Sequence, residues 1–553
     1  MSNDAVPVGS HPPRDGASSP LAQVRESAEA LLAEGQVDEA FDFFVSALEA
    51  VLRQNRDLEF LVAKLRRERV GKRSERVDPG QLSLLFEQLA ALGGQEEVDL
   101  EAEAREEAEL DRQIDEAEKG QRKRGTKARK PNGSWRTRGV ERQVHHVEVP
   151  EEERTCGKCG REQPCIGKDI TRSLEFVPGH FVEHEYHRDK YACGTCKQGV
   201  TTAPGPSKLI ERSAADASVL AHVVVSKFAD HCPLHRLHRI YERSGVTIPV
   251  STMSDWIGEV GVRIEPLADR LAERIRQAYV VRTDATGLKV LDPSSSENIE
   301  RGTMWCYVGD DLDVVFRYTP TGEGASGPWE FLAGRRGYVQ ADAASVFDRL
   351  FNGQVASAEE VGCWAHGRRR LVALKDTDCR VAYPLKLIGR LYRIEHLADA
   401  RHLSADDRAS LRQELSQPVL EKLKRWLVGT LANEPPSSEL AKAIGYVLNQ
   451  WTALNRFIQD GRLSLDNNVC EQQMRDIALG RKNYLFAGSH DAARRAAALY
   501  SLMRTCAQHE VPPLPYLTDV LQKLADGWKQ SRLDELMPHH WKQLHGHSSH
   551  RDS

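Results

Sequence analysis

The chain contains no run of about 18 consecutive apolar residues, which excludes a membrane-spanning helix. Its start, Met1-Ser2-Asn3-Asp4, lacks the basic and apolar regions of a secretory signal and leads into a Pro/Gly/Ser-rich stretch, so a cytoplasmic location is expected. A disulfide framework is missing too. The cysteines number 11, an odd count, and scattered ones such as Cys306 and Cys379 are expected to be buried free thiols in a reducing compartment. Net charge is only -5, but this near-balance hides a segregation: residues 96 to 119 carry twelve acids against three bases, whereas 121 to 138 carry eight bases and no acid. Local charge is therefore the informative quantity.

At 553 residues the chain has material for about three or four domains. Residues 1–20, rich in Pro, Gly and Ser, are expected to be disordered. Residues 21–118 read as a helical region in which Phe41, Phe44, Leu48, Val51, Asn55, Leu58, Val62 and Leu65 follow a heptad. Asn55 falls at an a position, where a buried amide favours a two-stranded register. A short dimeric coiled coil accounts for the pattern, and so does an amphipathic helix packed on its own domain, because the run is shorter than four heptads. Residues 119–150 form a basic linker whose Arg122, Lys123, Arg124, Lys127, Arg129 and Lys130 suit DNA phosphates, neutralised with release of counterions. A solvated linker without a ligand would carry the same residues.

Within residues 151–206, Cys156-Gly157-Lys158-Cys159 and Cys193-Gly194-Thr195-Cys196 form two CxxC knuckles. Four thiolates suit a closed tetrahedral site for structural Zn²⁺, and the alternation of Leu174, Phe176 and Val182 suits a ribbon pinned at both ends. Cys165, His184 and His187 are reserve ligands. Residues 207–278 read as helices at 213–230 and 233–243, a turn at Gly245, and a helix from Ser251 with Trp256 and Ile257 on its buried side. The order is that of a helix-turn-helix, whose second helix can enter a major groove. His231, His235 and His238 share one helical face in this reading, and with no further ligand they read as a solvated or phosphate-facing stripe.

Residues 279–510 switch to strand-like runs at 280–291, 304–308, 314–319, 338–341 and 361–364, then to helices over about 371–460. Asp284 sits inside the first run and Asp342 ends the fourth, so pairing of these strands would bring the two together. A third acid, Glu471, follows Leu465-Asp466-Asn467-Asn468, a loop that caps a helix. Two strand acids and one helix acid can hold Mg²⁺ or Mn²⁺, hard cations that take oxygen ligands and work in pairs on phosphodiesters. Structural roles fit the same residues. Asn468 and Glu471 have capping-box spacing, Glu471 and Arg475 that of a surface ion pair, and Asp466 that of a cap. Glu395 is a rival third carboxylate among Leu391, Ile394 and Ala398, which read as core. His366, ahead of Arg368-Arg369-Arg370, can position a phosphate or serve as a core histidine. Gly480 to Ser489, containing Arg481 and Lys482, reads as a basic aromatic loop suited to phosphate contact and base stacking. Residues 511–553 form a C-terminal segment ending in a His-rich tail.

The stretches Val70-Gly71-Lys72-Arg73-Ser74-Glu75, Gly362-Cys363-Trp364-Ala365-His366, Leu391-Tyr392-Arg393-Ile394-Glu395, Asp466-Asn467-Asn468 with Glu471, and Ala478-Leu479-Gly480-Arg481-Lys482-Asn483, together with the cysteine module, resemble transposases of the IS-sixty-six (IS66) family of insertion sequences, of TnpC type. Pro515-Tyr516-Leu517 and Leu536-Met537-Pro538-His539-His540-Trp541 resemble that family's C-terminal segment. The resemblance implies a multidomain α/β protein: an RNase H-like core with a helical insertion, preceded by the coiled-coil, zinc-ribbon-like and helix-turn-helix-like parts. It also implies a DDE triad at Asp284, Asp342 and Glu471 and cleavage and joining of DNA at element ends, with His366 and Arg475, read from the motifs around them, as candidate auxiliaries. The same source implies small accessory proteins, while the heptad, as a coiled coil, pairs subunits into an expected homodimer or higher oligomer, located at the nucleoid. Where the family carries Glu after the first aspartate, this chain has Ala285. Two other classes remain open: a zinc-containing DNA-binding repressor or inactive relic, and an RNase H-like nuclease that cuts without joining.

Overall fold

The computed structural model describes residues 100–124, 179–192, 200–202, 204–211 and 213–545. The heptad at 41–65, Lys127, Arg129, Lys130, the cysteines 156, 159, 165, 193 and 196, and the tail after His545 lie outside them. The chain divides into two compact units. One comprises residues up to 104 together with 372–383; in it Asp378 caps a short helical turn, Cys379–Val381, by accepting the Arg380 amide at 3.0 Å. Cys379 is exposed there, against the expectation of burial, because it opens a turn after the polar run Lys375-Asp376-Thr377-Asp378 rather than a core element.

The other unit is built on a five-stranded mixed sheet. Its strands are β1 (Val280–Leu291), β2 (Ile299–Val308), β3 (Val314–Thr319), β4 (Tyr338–Gln340) and β5 (Glu359–Val361), in spatial order β3-β2-β1-β4-β5. The first three form an antiparallel meander, and β4 and β5 run parallel to β1. Period-two alternation sorts the side chains. Met304, Cys306 and Val308 of β2 join Phe316 and Tyr318 of β3 on one face, while Trp305 and Tyr307 join Val281 and Val315 on the other. Tyr307 stacks on Phe331 with ring centroids 3.8 Å apart.

Immediately before the sheet run α1 (Ala217–Phe228), α2 (Leu234–Arg243) and α3 (Val250–Gln277). Val223, Leu234, Leu237, Tyr241, Ile248 and Met253 form their shared core. Gly245, at φ +83°, makes the turn between α2 and α3, a conformation that costs glycine little. His231 adopts φ 54° in the turn before α2, so the three-histidine helical face is corrected: only His235 and His238 lie on the helix, and His238 Nδ1 bonds the Ile248 carbonyl at 2.7 Å. The far half of α3 buries Leu267, Ala268, Leu271, Ala272 and Ile275 against the sheet, so one rigid element joins the helical bundle to the strands.

After β5 comes α4 (Trp364–Val372), so Trp364, expected to end a strand, opens a helix; α5 (Ala382–Ala400), α6 (Ala405–Leu411), α7 (Gln417–Ala432) and α8 (Glu439–Asn449) then form the expected helical insertion. The chain then returns to the sheet through α9 (Asn468–Tyr484) and α10 (His490–Gln508). α10 covers β3, an edge strand whose free backbone groups need partners. Thr505 Oγ1 accepts the Val314 amide and donates to the Val314 carbonyl, both at 3.0 Å, and Ser501 Oγ accepts the Phe316 amide at 2.8 Å. α11 (Pro513–Ala525) and α12 (Pro538–His545) close the same core with Tyr516, Leu517 and Trp541.

Candidate active site

The register of β1 against β4 pairs Val280 with Tyr338 and Arg282 with Gln340. Continued by two residues, it sets Asp284 beside Asp342, just past the C-terminal end of β4. Such strand ends, where connections diverge to opposite faces, form the usual crevice of an α/β sheet. Glu471 enters the crevice from the first turn of α9, held by a short loop tied to the strands. The Asn467 side-chain amide donates to the Thr283 carbonyl at 2.8 Å, and its backbone amide donates to Cys363 Sγ at 3.2 Å. The Gln340 side-chain amide donates to the Ser464 carbonyl at 2.9 Å, and the Trp364 amide to the Leu465 carbonyl at 3.1 Å. These bonds couple the helix that carries Glu471 to the strands that carry the aspartates.

Burial pushes the Asp284 carboxyl up to about 6, and the negative charges of Asp342 and Glu471 add to that rise against the Ala285 amide and Arg369. Asp284 thus senses both other acids at close range. Glu471 Oε2 accepts from Arg369 at 3.2 Å, and Oε1 lies 3.6 Å from His366 Nδ1. Both Glu471 Oε1 and His366 Nδ1 are buried without a hydrogen-bond partner. With Cys363 they form a cluster of metal-capable atoms, although burial pushes the Cys363 thiol up to about 11 and favours its protonated form. Glu471, with an orphaned oxygen, and its neighbour His366 are metal-capable, and Asp284, whose carboxyl feels both Asp342 and Glu471, adds a hard oxygen donor of the kind a divalent cation takes.

A family profile described as "Transposase IS66 family" matches residues 212–495 of the 553, more than half of the chain. The chain belongs to the IS66 transposase family. Further profiles match in order: "Transposase C of IS166 homeodomain" over 57–133, "zinc-finger binding domain of transposase IS66" over 153–197 and "IS66 C-terminal element" over 501–539. The zinc-finger match spans Cys156, Cys159, Cys193 and Cys196 and supports structural zinc there. Relatives of this IS66-family chain in Sinorhizobium fredii include the uncharacterized protein y4qI, 32% identical over 505 residues that cover 88% of this chain and 89% of the relative. The uncharacterized protein y4hP of the same organism is 30% identical over 514 residues, 88% of each chain.

The structural readings of the glutamates separate in this IS66-family protein. α9 has no side-chain cap, so the Asn468–Glu471 capping box is absent; Asn468 Nδ2 instead donates to Asp466 Oδ2 at 2.6 Å. Arg475 is exposed, and the partners of Glu471 are Arg369 and His366. Glu395 is committed elsewhere. It accepts from Arg412 Nε and Nη2 at 2.7 Å each and from Arg408 Nη1 at 3.0 Å. Arg412, 1% exposed in a single π-helical turn, also donates to the carbonyls of Phe457, Asp460 and Leu463 and so braces the loop that leads to Glu471.

The expected loop at 480–489 is corrected: Gly480 to Tyr484 are the last turn of α9, and only the residues after them leave the helix. Gly480 allows this because a Cβ there would lie 2.2 Å from the Tyr484 hydroxyl and 2.6 Å from that of Tyr500. Arg481 turns back to the Gly287 carbonyl, while Lys482 is exposed. Arg122, Lys123 and Arg124 end a helix, Leu100–Arg124. His184 and His187 are exposed. Sequence reading did not find Asn467 and Gln340 as positioning residues; their signal is polarity inside otherwise buried motifs, both being at most 1% exposed.

Proposed function

We propose that this protein is a DDE-type DNA strand transferase that cuts at insertion-sequence ends and joins them to target DNA, with Asp284, Asp342 and Glu471 as its catalytic acids on an RNase H-like core. The observation that carries the reading is the strand register that sets Asp284, inside β1, beside the end of β4, with the charges of Asp342 and Glu471 felt at its carboxyl. The strand order, three antiparallel strands flanked by two parallel ones, supports the fold. Asp284, Asp342 and Glu471 would hold magnesium or manganese ions, which would supply activation of water and stabilisation of charge on phosphate oxygens.

The chain's own residues do the rest. Asn467 and Gln340 fix the acids relative to one another, so a scissile phosphate is held for in-line attack with little motion. At neutral pH Asp284 holds a share of a proton, which leaves when the site is loaded. Arg369, more than half exposed beside Glu471, is placed to meet a phosphate oxygen, and His366 to orient the attacking water. Hydrolysis breaks the P–O bond at the element end, water giving its OH to phosphorus and its proton, by way of the medium, to the departing 3′ oxygen, which leaves as a free 3′-OH. That hydroxyl then attacks a target phosphate, losing its proton as the target strand's own 3′ oxygen leaves and takes one up. No enzyme–DNA bond forms.

In this reading α2 and α3, the zinc module and the basic linker hold the ends, two or more subunits act together with accessory proteins of the element, and the work is done on DNA in the cytoplasm, at the nucleoid. The test incubates the protein with a labelled element-end duplex and a target plasmid, with Mg²⁺ or EDTA, comparing wild type with Glu471→Gln. Joined product lost with EDTA and with the substitution supports the reading. Cleavage without joining points to a nuclease, and binding without either product to a repressor or relic.

A further inference from the structure

Away from the candidate active site, the helix Leu100–Arg124 lies on the insertion through residues of opposite charge. On the insertion side, Lys386, Arg390 and Arg393 of α5 recur at i, i+4 and i+7 and so share a face. His396 and Arg401 extend this line, and Lys422 of α7 flanks it. On the helix side, Glu106 accepts from Arg390 at 2.7 Å and from Lys422 at 3.0 Å. Glu107 lies 3.5 Å from Lys386, Asp111 3.0 Å from Arg393 and Glu118 3.2 Å from His396. Arg401 donates to the Gln113 side chain at 3.2 Å.

Little apolar surface backs these contacts: among the described residues of the acidic helix only Leu110 is buried. The docking is thus mainly ionic, and partly exposed ion pairs are individually weak and screened by salt. From residue 386 to 401 the basic line runs about 22 Å at the helical rise, close to the span of six phosphates along one strand of a duplex. A line of guanidinium and ammonium groups of this length, covered by a line of carboxylates, has the charge pattern of a phosphate-binding surface occupied by a stand-in.

We propose that the basic face of α5 binds the backbone of duplex DNA and that the acidic helix 105–118 covers it until DNA takes its place. This rests on DNA as the partner but adds a surface and a control that the catalytic acids do not supply. An exposed twin pair gives the control, because Glu109 and Glu116 bind Arg112 on the outward side of the same helix.

The test measures binding of the full-length chain to a labelled duplex of unrelated sequence over a salt series. Glu106→Gln/Glu107→Gln is expected to tighten binding about tenfold at low salt and to steepen the log–log salt dependence by about 3, one for each basic group freed. Glu109→Gln/Glu116→Gln, with the same charge change but freeing only Arg112, is expected to leave affinity near wild type and to steepen the salt dependence by at most about 1. Adding Lys386→Gln/Arg393→Gln to the first variant should cancel its gain. In the unmodified chain, amide exchange over 105–118 should rise when the duplex is added. Equal effects from the two acid pairs, a gain that survives loss of the basic groups, or exchange unchanged at saturating duplex would each overturn the proposal. A wild type that binds no duplex even at low salt would overturn the DNA reading as well, whereas binding with an unmoved helix overturns the cover alone.

Discussion

Substituting Asp284 by Asn should make the metal-free protein more stable at alkaline pH even as it removes activity. In the folded chain burial, together with Asp342 and Glu471, lifts the Asp284 carboxyl from its ordinary 3.8 to about 6. Between those values the folded state binds more protons at this group than the unfolded state, so stability falls as pH rises from 3.8 through 6. At about 1.4 kcal/mol per pH unit the loss is at most ~3 kcal/mol, complete above pH 7 and absent below pH 3.8. Asparagine carries no charge at any of these pH values and escapes the loss. Chemical denaturation followed by tryptophan fluorescence, in buffer free of Mg²⁺ and Mn²⁺ but without chelator, so that structural zinc is retained, should show the variant ahead of wild type by ~2–3 kcal/mol at pH 8. The gap should close toward pH 4. With 10 mM Mg²⁺, a concentration chosen to be on the order of typical Mg²⁺ assays, wild type should gain and the variant should not. A variant no more stable than wild type at pH 8, or a gap that persists at pH 4, would refute the argument that burial, with Asp342 and Glu471 nearby, lifts the Asp284 carboxyl.

Arg412→Met should destabilise the protein by about 3–5 kcal/mol in denaturant titrations, since it removes a buried guanidinium that bonds three carbonyls and leaves Glu395 with Arg408 alone, and Glu395→Gln should cost less. Thr505→Val should cost about 1–3 kcal/mol by removing the partner of both backbone groups of Val314, with thermal unfolding as the check. Asn467→Ala should reduce strand transfer by tenfold or more while leaving duplex binding intact, measured by joining and by anisotropy, because it frees the start of α9 from β1. Cys193→Ser should release zinc from the 153–197 module, read as a loss of one zinc per chain by elemental analysis.

Much of the site was legible because strands and helices write their periods into the chain. The runs around Asp284 and Asp342 alternate or end where a parallel neighbour would, and the structure pairs them. The length of α9 was not legible, since Gly480 reads as a helix end unless the hydroxyls of Tyr484 and Tyr500 are known to crowd it. Cys379 and His231 failed for a related reason: residue type predicts burial or a face only where the local element is known.

The choice between Glu395 and Glu471 marks the boundary most sharply. Both are acids in motifs with apolar neighbours, and spacing along the chain does not separate them. By itself the sequence determined the family and narrowed the candidate acids to Asp284, Asp342 and either Glu471 or Glu395, because these depend on local periodicity and short motifs. Only the tertiary structure decided that Glu395 is spent on Arg412 and Arg408 while Glu471 keeps an oxygen without a hydrogen-bond partner near Asp284. The same holds for the acidic helix and its basic partner, more than 250 residues apart in sequence. Charge and hydrogen-bond pairing act through space, at distances of a few ångströms that no linear spacing records.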